Sequence, residues 1–330
     1  MKLLMLGGTH FVGRAVVEEA VARGAEVTVF HRGHHEPPDG VTVLHGDRRT
    51  SGGLAALEHG AWDVVVDTWS GAPSAVRDTA RLLAGRVDRY LYVSSRSVYR
   101  FPTAAGLDEG AALVDASPDL DGDDDYAEAK RGGEMAVTDA FGDRGLLARA
   151  GLILGPWENV GRLPWWLNRI ARGGPVLAPG PRDLPLQYID GRDLAAWLLD
   201  AADAGLGGPY NLVSPPGHAT MGELLCACTR VTGSDARLRW ADPEAVLAAG
   251  IEPWTELPVW LPPGDLHDTL HGADVSKALA AGLRCRPVGE TVADTWAWMR
   301  KSDVLPPRRP GRPAIGLAPE KEERVLRDLT

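Results

Sequence analysis

The chain has 330 residues, of which 44% are hydrophobic and 24% charged, a composition ordinary for a soluble globular enzyme with a large core. Its formal net charge of −10 argues against a general nucleic-acid or membrane-surface binder, since both need a basic face, although it leaves room for a local basic groove. No apolar run approaches the ~20 residues of a membrane span, and the N-terminus leads into a strand rather than a secretion signal. We therefore expect a cytoplasmic protein.

The first predicted element is a strand that runs into a glycine-rich turn and then a helix. Residues 1–6 are mostly apolar, the turn carries Gly7, Gly8 and Gly13, and helical spacing follows from Arg14. Glycine lets the backbone turn tightly and approach a ligand, and the free N–H groups at a helix start attract phosphate. The pattern therefore predicts a dinucleotide site, against the plainer alternative of a tight turn in any α/β protein.

Strand and helix patterns then alternate through the first half of the chain. The predicted strands are 26–30, 41–44, 63–67, 90–94 and 145–154, with helical stretches near 53–58 and 75–84. Such alternation implies right-handed crossovers and a parallel sheet. We expect an α/β protein built on a doubly wound Rossmann sheet.

The second half of the chain is rich in tryptophan and proline, which suits a less regular lobe that closes over a ligand. Trp157, Trp165 and Trp166 suggest a partly apolar or ring-bearing ligand, although such residues more often fill a core.

The predicted domains are interleaved in the sequence, because 186–189, 192–202 and 210–213 resemble a strand, a helix and a last strand returning to the first sheet. The Rossmann domain is predicted at 1–154 and 186–214, a smaller Trp-rich substrate lobe at 155–185 and 215–303, and a linker with a terminal helix at 304–330.

Neither the cysteines nor the histidines predict a metal site. The chain has three cysteines, Cys226, Cys228 and Cys285, which cannot all pair and which we expect to be buried thiols. His31, His34 and His35 cluster in sequence but lack a carboxylate at ligand spacing, so we expect no bound metal.

Tyr126 and Lys130 lie four residues apart on a predicted helix and therefore share one face. Asp125 is placed to cap this helix, with Glu128 as its partner in a capping box, which puts Tyr126 in the first turn. An ammonium near a phenol favours the phenolate, so a tyrosine in this setting can act as a general acid or base at neutral pH. The acidic stretch before the helix opposes this effect, and we expect its carboxylates to be solvated.

Ser94 ends the predicted strand at 90–94, and Ser95 follows it directly. Hydroxyls at the carboxyl edge of a parallel strand face the ligand crevice, where they can hold a substrate carbonyl by a hydrogen bond.

Together these stretches resemble the short-chain dehydrogenase/reductase superfamily, in its extended and atypical branch of NAD-dependent epimerase/dehydratase-like proteins. The likeness runs from Met1 to about Met299. It rests on the glycine turn at 7–13, Ser-Ser-x-x-Val-Tyr at 94–99, Tyr-x-x-x-Lys at 126–130, a strand-to-helix segment at 188–195 and a C-terminal signature at 274–278. By this resemblance Tyr126 is the acid/base, and Ser95 orients the reacting hydroxyl or carbonyl. By the same resemblance Lys130 favours the phenolate form of Tyr126 and binds the nicotinamide ribose.

The resemblance also implies the cofactor contacts. They are Gly7, Thr9, His10, Phe11, Val12, Gly13, Arg32, Asp47, Arg48 and Lys130. His10 replaces the usual middle glycine, so either the pyrophosphate shifts or the imidazole joins it. Arg32 stands where an acidic residue would bind the NAD ribose, and a guanidinium favours a 2′-phosphate. We therefore expect NADP(H) to be preferred, with NAD(H) as the alternative.

We interpret the chain as an NAD(P)-dependent oxidoreductase that moves a hydride between nicotinamide and a hydroxyl or carbonyl of a small-molecule substrate. Arg96 and Ser97 replace the acidic pair of the 4,6-dehydratases, which argues against dehydration. One alternative is an NAD-dependent nucleotide-sugar epimerase, weakened by Leu186 and Gln187 in place of a basic residue. The other is a non-catalytic NAD(P)- or RNA-binding protein of the same fold. We expect no membrane or nucleic-acid partner, and we allow for a homodimer.

Overall fold

The computed structural model describes residues 1–101, 105–122, 125–301 and 315–328 of the chain. Within them the strands are β1 (Lys2–Leu6), β2 (Glu26–His31), β3 (Thr42–His45), β4 (Trp62–Asp67), β5 (Val87–Ser95), β6 (Gly145–Ala150), β7 (Ile153–Leu154), β8 (Pro175–Pro179), β9 (Pro185–Leu186), β10 (Ile189–Asp190), β11 (Gly208–Leu212), β12 (Ala219–Thr220) and β13 (Arg237–Ala241). The α-helices are α1 (Phe11–Ala22), α2 (Pro73–Leu83), α3 (Tyr126–Phe141), α4 (Arg162–Ala171), α5 (Gly191–Asp203), α6 (Met221–Thr232), α7 (Pro243–Ala248), α8 (Asp265–His271), α9 (Ser276–Ala280), α10 (Val288–Lys301) and α11 (Pro319–Asp328).

A parallel sheet forms the centre of the protein. In the described part of the chain its seven strands follow the order β11-β6-β5-β4-β1-β2-β3. The connections run in opposite directions from β1, which pairs with β2 on one side and with β4 on the other. This is the doubly wound Rossmann arrangement, and it confirms the predicted fold class. Such a switch point opens a ligand crevice at the carboxyl ends of the strands.

The apolar run of β1 is explained by burial on both faces of the sheet. Leu3 and Met5 pack into the core on one face, whereas Leu4 and Leu6 pack into the core on the other. Because side chains alternate along a strand, a strand covered on both faces must be apolar at nearly every position. The helices α1 and α5 pack together on the first face, and α2 packs with α3 on the second.

A second hydrophobic core lies outside the sheet and contains the fully buried side chains of Trp166 and Trp260. The terminal helix α11 docks on it, because Glu322 accepts hydrogen bonds from Arg169 Nε at 2.5 Å and from the Leu177 amide at 3.1 Å. Ala278 and Leu283, from a range predicted to belong to the second lobe, pack instead in the sheet core. The predicted linker lies largely outside the described residues, and the domain division stays a prediction.

Three predicted elements are wrong in extent. The strand predicted at 145–154 breaks at Gly151, whose amide donates to the Leu212 carbonyl at 3.1 Å. On one side of the break β6 stays in the central sheet, and on the other β7 leaves the sheet and pairs with β10. The stretch 186–189 is likewise divided, since β9 pairs with β12 and β10 pairs with β7. The helix predicted near 53–58 is a 3₁₀ turn at Ala55–Leu57.

No described helix is long and apolar enough to cross a membrane. The described residues also contain no group of three or more His, Cys, Asp or Glu arranged to hold a metal ion. All three cysteines are free thiols: Cys228 is buried as expected, whereas Cys226 and Cys285 are partly exposed, which corrects the prediction for those two.

Candidate active site

A cavity of about 520 Å³ opens at the carboxyl edge of the central sheet. One wall comes from the ends of β1, β5 and β6 and from the first turns of α1 and α3. The opposite wall comes from residues 159–162 before α4, from Trp254, and from Leu270 and His271 at the end of α8. The cavity therefore lies at the switch point of the sheet, where the topology predicts a ligand.

The glycine turn lines this cavity along its whole length, from Gly7 to Gly13. Gly7 has a φ of 110°, and a Cβ added there would lie 2.8 Å from the Thr68 hydroxyl oxygen. A Cβ on Gly13 would lie 2.8 Å from the Gly8 nitrogen, so only glycine lets α1 approach the turn this closely. The N-cap side chain, His10, makes no capping hydrogen bond. Within the described residues the N-cap side chain therefore leaves the first-turn N–H groups of α1 uncapped, and the cradle fits the pyrophosphate of a dinucleotide.

His10 lies in the turn with both ring nitrogens buried and without a hydrogen-bond partner among the described residues. Its ring meets that of His35 edge-on, with centroids 4.3 Å apart. Burial, followed by repulsion from His35 and Arg14, lowers the pKa of His10 below 6.5. Two unsatisfied nitrogens are costly in a buried ring, so the arrangement favours a polar ligand beside it.

Arg32 and Asp47 follow β2 and β3 and do not line the cavity. Arg32 is exposed and makes no hydrogen bond or ion pair within the described part of the chain. Asp47 is partly buried, and its carboxylate accepts a hydrogen bond from the Arg49 amide at 3.0 Å. Both stand at the edge where the adenosine half of a dinucleotide extends in a doubly wound sheet.

Arg48 is buried and its guanidinium holds β4 rather than the cavity. It donates to both carboxylate oxygens of Asp67, at 2.7 and 2.8 Å, and to the hydroxyl of Thr79 at 2.9 Å. Burial opposes the charge of Asp67, yet the adjacent guanidinium outweighs it and lowers the pKa of that carboxyl. We therefore assign the Arg48 side chain a structural ion pair and propose no cofactor contact for it.

The three predicted catalytic side chains line the same cavity as the glycine turn. Ser95 ends β5 and exchanges hydrogen bonds with Ser97, from the Ser97 amide and to the Ser97 hydroxyl, each at 3.1 Å. Tyr126 is the first residue of α3 and is partly buried. One turn later Lys130 is 3% exposed, and its ammonium donates to the Trp69 carbonyl and to the Val93 carbonyl at 2.7 Å. These carbonyls hold the ammonium at the end of β5.

The helix that carries Tyr126 is fixed at its start and at its middle. At its start, one half of the predicted capping box is present, because Asp125 accepts a hydrogen bond from the Glu128 amide at 2.9 Å. Further along, the buried Glu134 binds Arg149 on β6 through two hydrogen bonds, at 2.9 and 3.0 Å, and accepts one from the Ser94 hydroxyl at 2.8 Å. The network ties α3 to β5 and β6 and therefore positions Tyr126 and Lys130 relative to Ser95.

The wall opposite the catalytic residues could not be predicted from the sequence. It contributes Arg162, Trp254 and His271, none of which lies in a motif. Arg96 also lines the cavity and is 2% exposed. In the sequence it is notable only because it replaces an acidic residue of the 4,6-dehydratases. These residues come from loops and helix ends separated by up to 175 residues, which short-range patterns do not connect.

The tryptophans expected at the ligand have other contacts. Arg14 lies over the ring of Trp157, at 3.9 Å from its centroid. Trp165 packs edge-on against Trp166, whose indole N–H donates to the Pro258 carbonyl at 2.8 Å. None of these three lines the cavity; among the described lining residues the tryptophan is Trp254.

Several solved structures share this fold over their whole length. UDP-glucose 4-epimerase of Thermus thermophilus, solved with NAD, matches at 20% identity and a TM-score of 0.65, covering 92% of this chain and 100% of that one. The enzyme WbmH of Bordetella bronchiseptica, solved with NAD⁺, matches at 16% and 0.66, covering 92% and 99%. UDP-glucuronic acid 4-epimerase of Bacillus cereus, solved with NAD, matches at 14% and 0.65, covering 91% and 99%. At these identities the likeness establishes the fold alone.

The sequence comparisons decide the family. A search of curated protein sequences found no match. In contrast, the profile of the NAD dependent epimerase/dehydratase family matches residues 3–212, which include the glycine turn, Ser95, Tyr126 and Lys130. The resemblance inferred from the motifs is thereby confirmed. The chain belongs to the NAD dependent epimerase/dehydratase family and is an enzyme of the extended short-chain dehydrogenase/reductase type.

Proposed function

We propose that this protein is an NAD(P)-dependent oxidoreductase that moves a hydride between nicotinamide and a hydroxyl or carbonyl carbon of a small molecule. One observation carries the proposal: Ser95, Tyr126 and Lys130 line the same cavity as the glycine turn. A dinucleotide site and an acid/base site are then adjacent, as hydride transfer coupled to proton transfer requires.

Each catalytic side chain has a separate task in this proposal. The Tyr126 hydroxyl gives a proton to the substrate oxygen in reduction, or takes it in oxidation. Ser95 orients that oxygen through its hydroxyl. Lys130, whose ammonium is held by the Trp69 and Val93 carbonyls, supplies positive charge beside Tyr126 and a donor for the ribose. A bound nicotinamide would supply the hydride acceptor or donor.

A nucleotide-sugar epimerase is the second candidate, favoured by the family assignment and by the epimerases that share the fold. The two candidates use the same three side chains but differ in cofactor balance. An oxidoreductase changes the amount of reduced nicotinamide with each turnover, whereas an epimerase oxidises and re-reduces its substrate in one site and leaves that amount constant. Absorbance at the NAD(P)H band, followed alongside product analysis, separates them.

The proposed mechanism is tested by Tyr126→Phe, which removes the proton donor and keeps the ring. We expect turnover to fall by about 10²–10⁴-fold with unchanged cofactor affinity. Tyr210→Phe is the control, since Tyr210 is a tyrosine near a lysine, with the Lys277 ammonium 4.2 Å from its ring centroid, but does not line the cavity. Normal turnover by Tyr126→Phe would refute the mechanism, and a protein that binds cofactor without turning over any substrate would support the non-catalytic alternative.

The proposal includes a preference for NADP(H). It is supported by Arg32, which is exposed just after β2 with no acidic residue beside it at the ribose-binding position. The three structures described above were solved with NAD or NAD⁺, so cofactor choice is a separate question from cofactor binding.

A further inference from the structure

Arg96 follows Ser95 directly and is buried at the wall of the cavity. Its terminal nitrogens donate to the carbonyls of Thr269 and Leu270, at 2.7 and 2.8 Å. Its third donor group, Nε–H, is also buried and has no hydrogen-bond partner among the described residues. One donor of a buried guanidinium beside the catalytic serine is therefore left for a ligand.

Arg96 also differs from the other buried arginines in how its charge is balanced. Arg48, Arg149 and Arg169 each form an ion pair with a buried carboxylate. Arg96 forms none within the described ranges, and the two carbonyls at the end of α8 offset its charge only partly. Burial lowers the pKa of Arg96 to about 10, so the side chain remains a cation at neutral pH.

His271 lines the same cavity and is close enough to Arg96 to be repelled by its charge. Its Nδ1 accepts a hydrogen bond from the Gln187 amide at 3.0 Å. Burial, followed by repulsion from His267, lowers the pKa of His271 to about 3, so the ring is neutral and Nε2 carries the hydrogen. The Val259 backbone also hydrogen-bonds this buried ring, so His271 is held by the protein and Arg96 is the charged group of the pair.

We infer that Arg96 forms a carboxylate subsite, and that the substrate carries a carboxylate close to the carbon addressed by Ser95 and Tyr126. The free Nε–H of Arg96 would bind a carboxylate oxygen, and the guanidinium would supply the charge. Arg162, which lines the same wall with its guanidinium 5.3 Å from the Trp254 ring centroid, adds positive potential. This inference rests on the proposed function, because it places the reacting carbon beside Ser95.

The test compares glucuronate with glucose, two sugars that differ by a carboxylate in place of a hydroxymethyl group. Each is titrated by calorimetry into the protein saturated with NAD⁺ or NADP⁺. We expect glucuronate to bind with a Kd below about 50 mM and at least about tenfold more tightly than glucose, the gain of a charge-assisted hydrogen bond. Arg96→Met should abolish this preference. Arg100→Met is the matched control, because Arg100 is exposed and bonds to Asp115 outside the cavity.

Two further arms keep the outcome decisive. Arg96→Lys retains the cation without Nε and should recover part of the preference if Arg96→Met proves unstable. Inorganic phosphate should bind more weakly than glucuronate. The inference is overturned by equal binding of the two sugars, by no glucuronate binding, by binding of phosphate alone, or by a preference that survives in Arg96→Met and Arg96→Lys. Loss of the proposed function shows itself separately, as failure of the wild-type protein to bind either cofactor before sugar is added.

Discussion

Replacing Gly13 by alanine tests whether the close approach of α1 to the glycine turn creates the cofactor site. An alanine Cβ would lie 2.8 Å from the Gly8 nitrogen and 3.1 Å from both Gly8 Cα and Met5 Cε. The nearest contact is backbone, which cannot rotate away, so the helix must shift by a few tenths of an ångström. Overpacking of this kind costs about 1–3 kcal/mol, against about 1 kcal/mol gained in helix propensity, so the net loss of stability should be at most about 2 kcal/mol.

Cofactor binding should suffer more than stability, because the shift displaces the N–H groups that face the pyrophosphate. We expect the affinity of Gly13→Ala for NAD⁺ and NADP⁺ to fall by at least about tenfold, or ~1.4 kcal/mol. The assays are calorimetric titration and denaturant unfolding. Gly289→Ala is the matched control: Gly289 also lies in a helix, α10, but a Cβ there meets no atom within 4 Å. A Gly13→Ala protein that binds both cofactors like the wild type would refute the role of this close approach.

Three further predictions concern charge. Wild-type protein should bind NADP(H) more tightly than NAD(H) by about 1–3 kcal/mol, and Arg32→Ala should remove the difference; equal wild-type affinities in paired titrations would contradict this. The pKa of the His10 ring is lowered in the free protein, and a bound pyrophosphate that raises this pKa makes the complex take up a proton. The affinity of the wild-type protein for cofactor should therefore increase from pH 8 to pH 6, whereas the affinity of His10→Ala should not change with pH. If calorimetry finds the same pH dependence for both proteins, the ring only fills space. Burial raises the pKa of Glu158 from 4.5 to about 7, so as the pH rises the unfolded state loses this proton before the folded state does. The free energy of unfolding should therefore decline by about 3 kcal/mol between pH 4.5 and pH 7. Denaturant unfolding of Glu158→Gln should not show this decline, and an unchanged decline would be evidence against the prediction.

The nucleotide-binding half could be predicted because its features are local. Burial on both faces makes β1 apolar at consecutive positions, so a short run of sequence reports the sheet. Position 13 must be glycine because a Cβ there would lie too close to the backbone of Gly8, only five residues earlier. Asp125 predicts the start of α3, since its side chain accepts a hydrogen bond from the backbone amide three residues later. Each prediction needed only residues within about one turn or one strand of each other.

Burial of charge was not predictable in the same way. Arg48 follows β3 and looks like an exposed residue, yet its carboxylate partner, Asp67, lies 19 residues away at the end of β4, a strand not adjacent to β3 in the sheet. Arg96 bonds to carbonyls 173 and 174 residues later in the chain. A formal charge in a sequence carries no record of whether its environment is water or protein, and that environment decides its energy.

The sequence by itself determined the doubly wound sheet, the glycine turn and the helix face that carries Tyr126 and Lys130. These follow from backbone periodicity and from the conformations open to glycine, which are properties of short segments. Only the tertiary structure decided that residues 145–154 divide between two sheets, that Arg48 pairs with Asp67, and that Arg96 and His271 line the same cavity as Ser95. Those outcomes depend on which distant segments pack together, because packing sets the dielectric, the hydrogen-bond partners and the room available to each side chain.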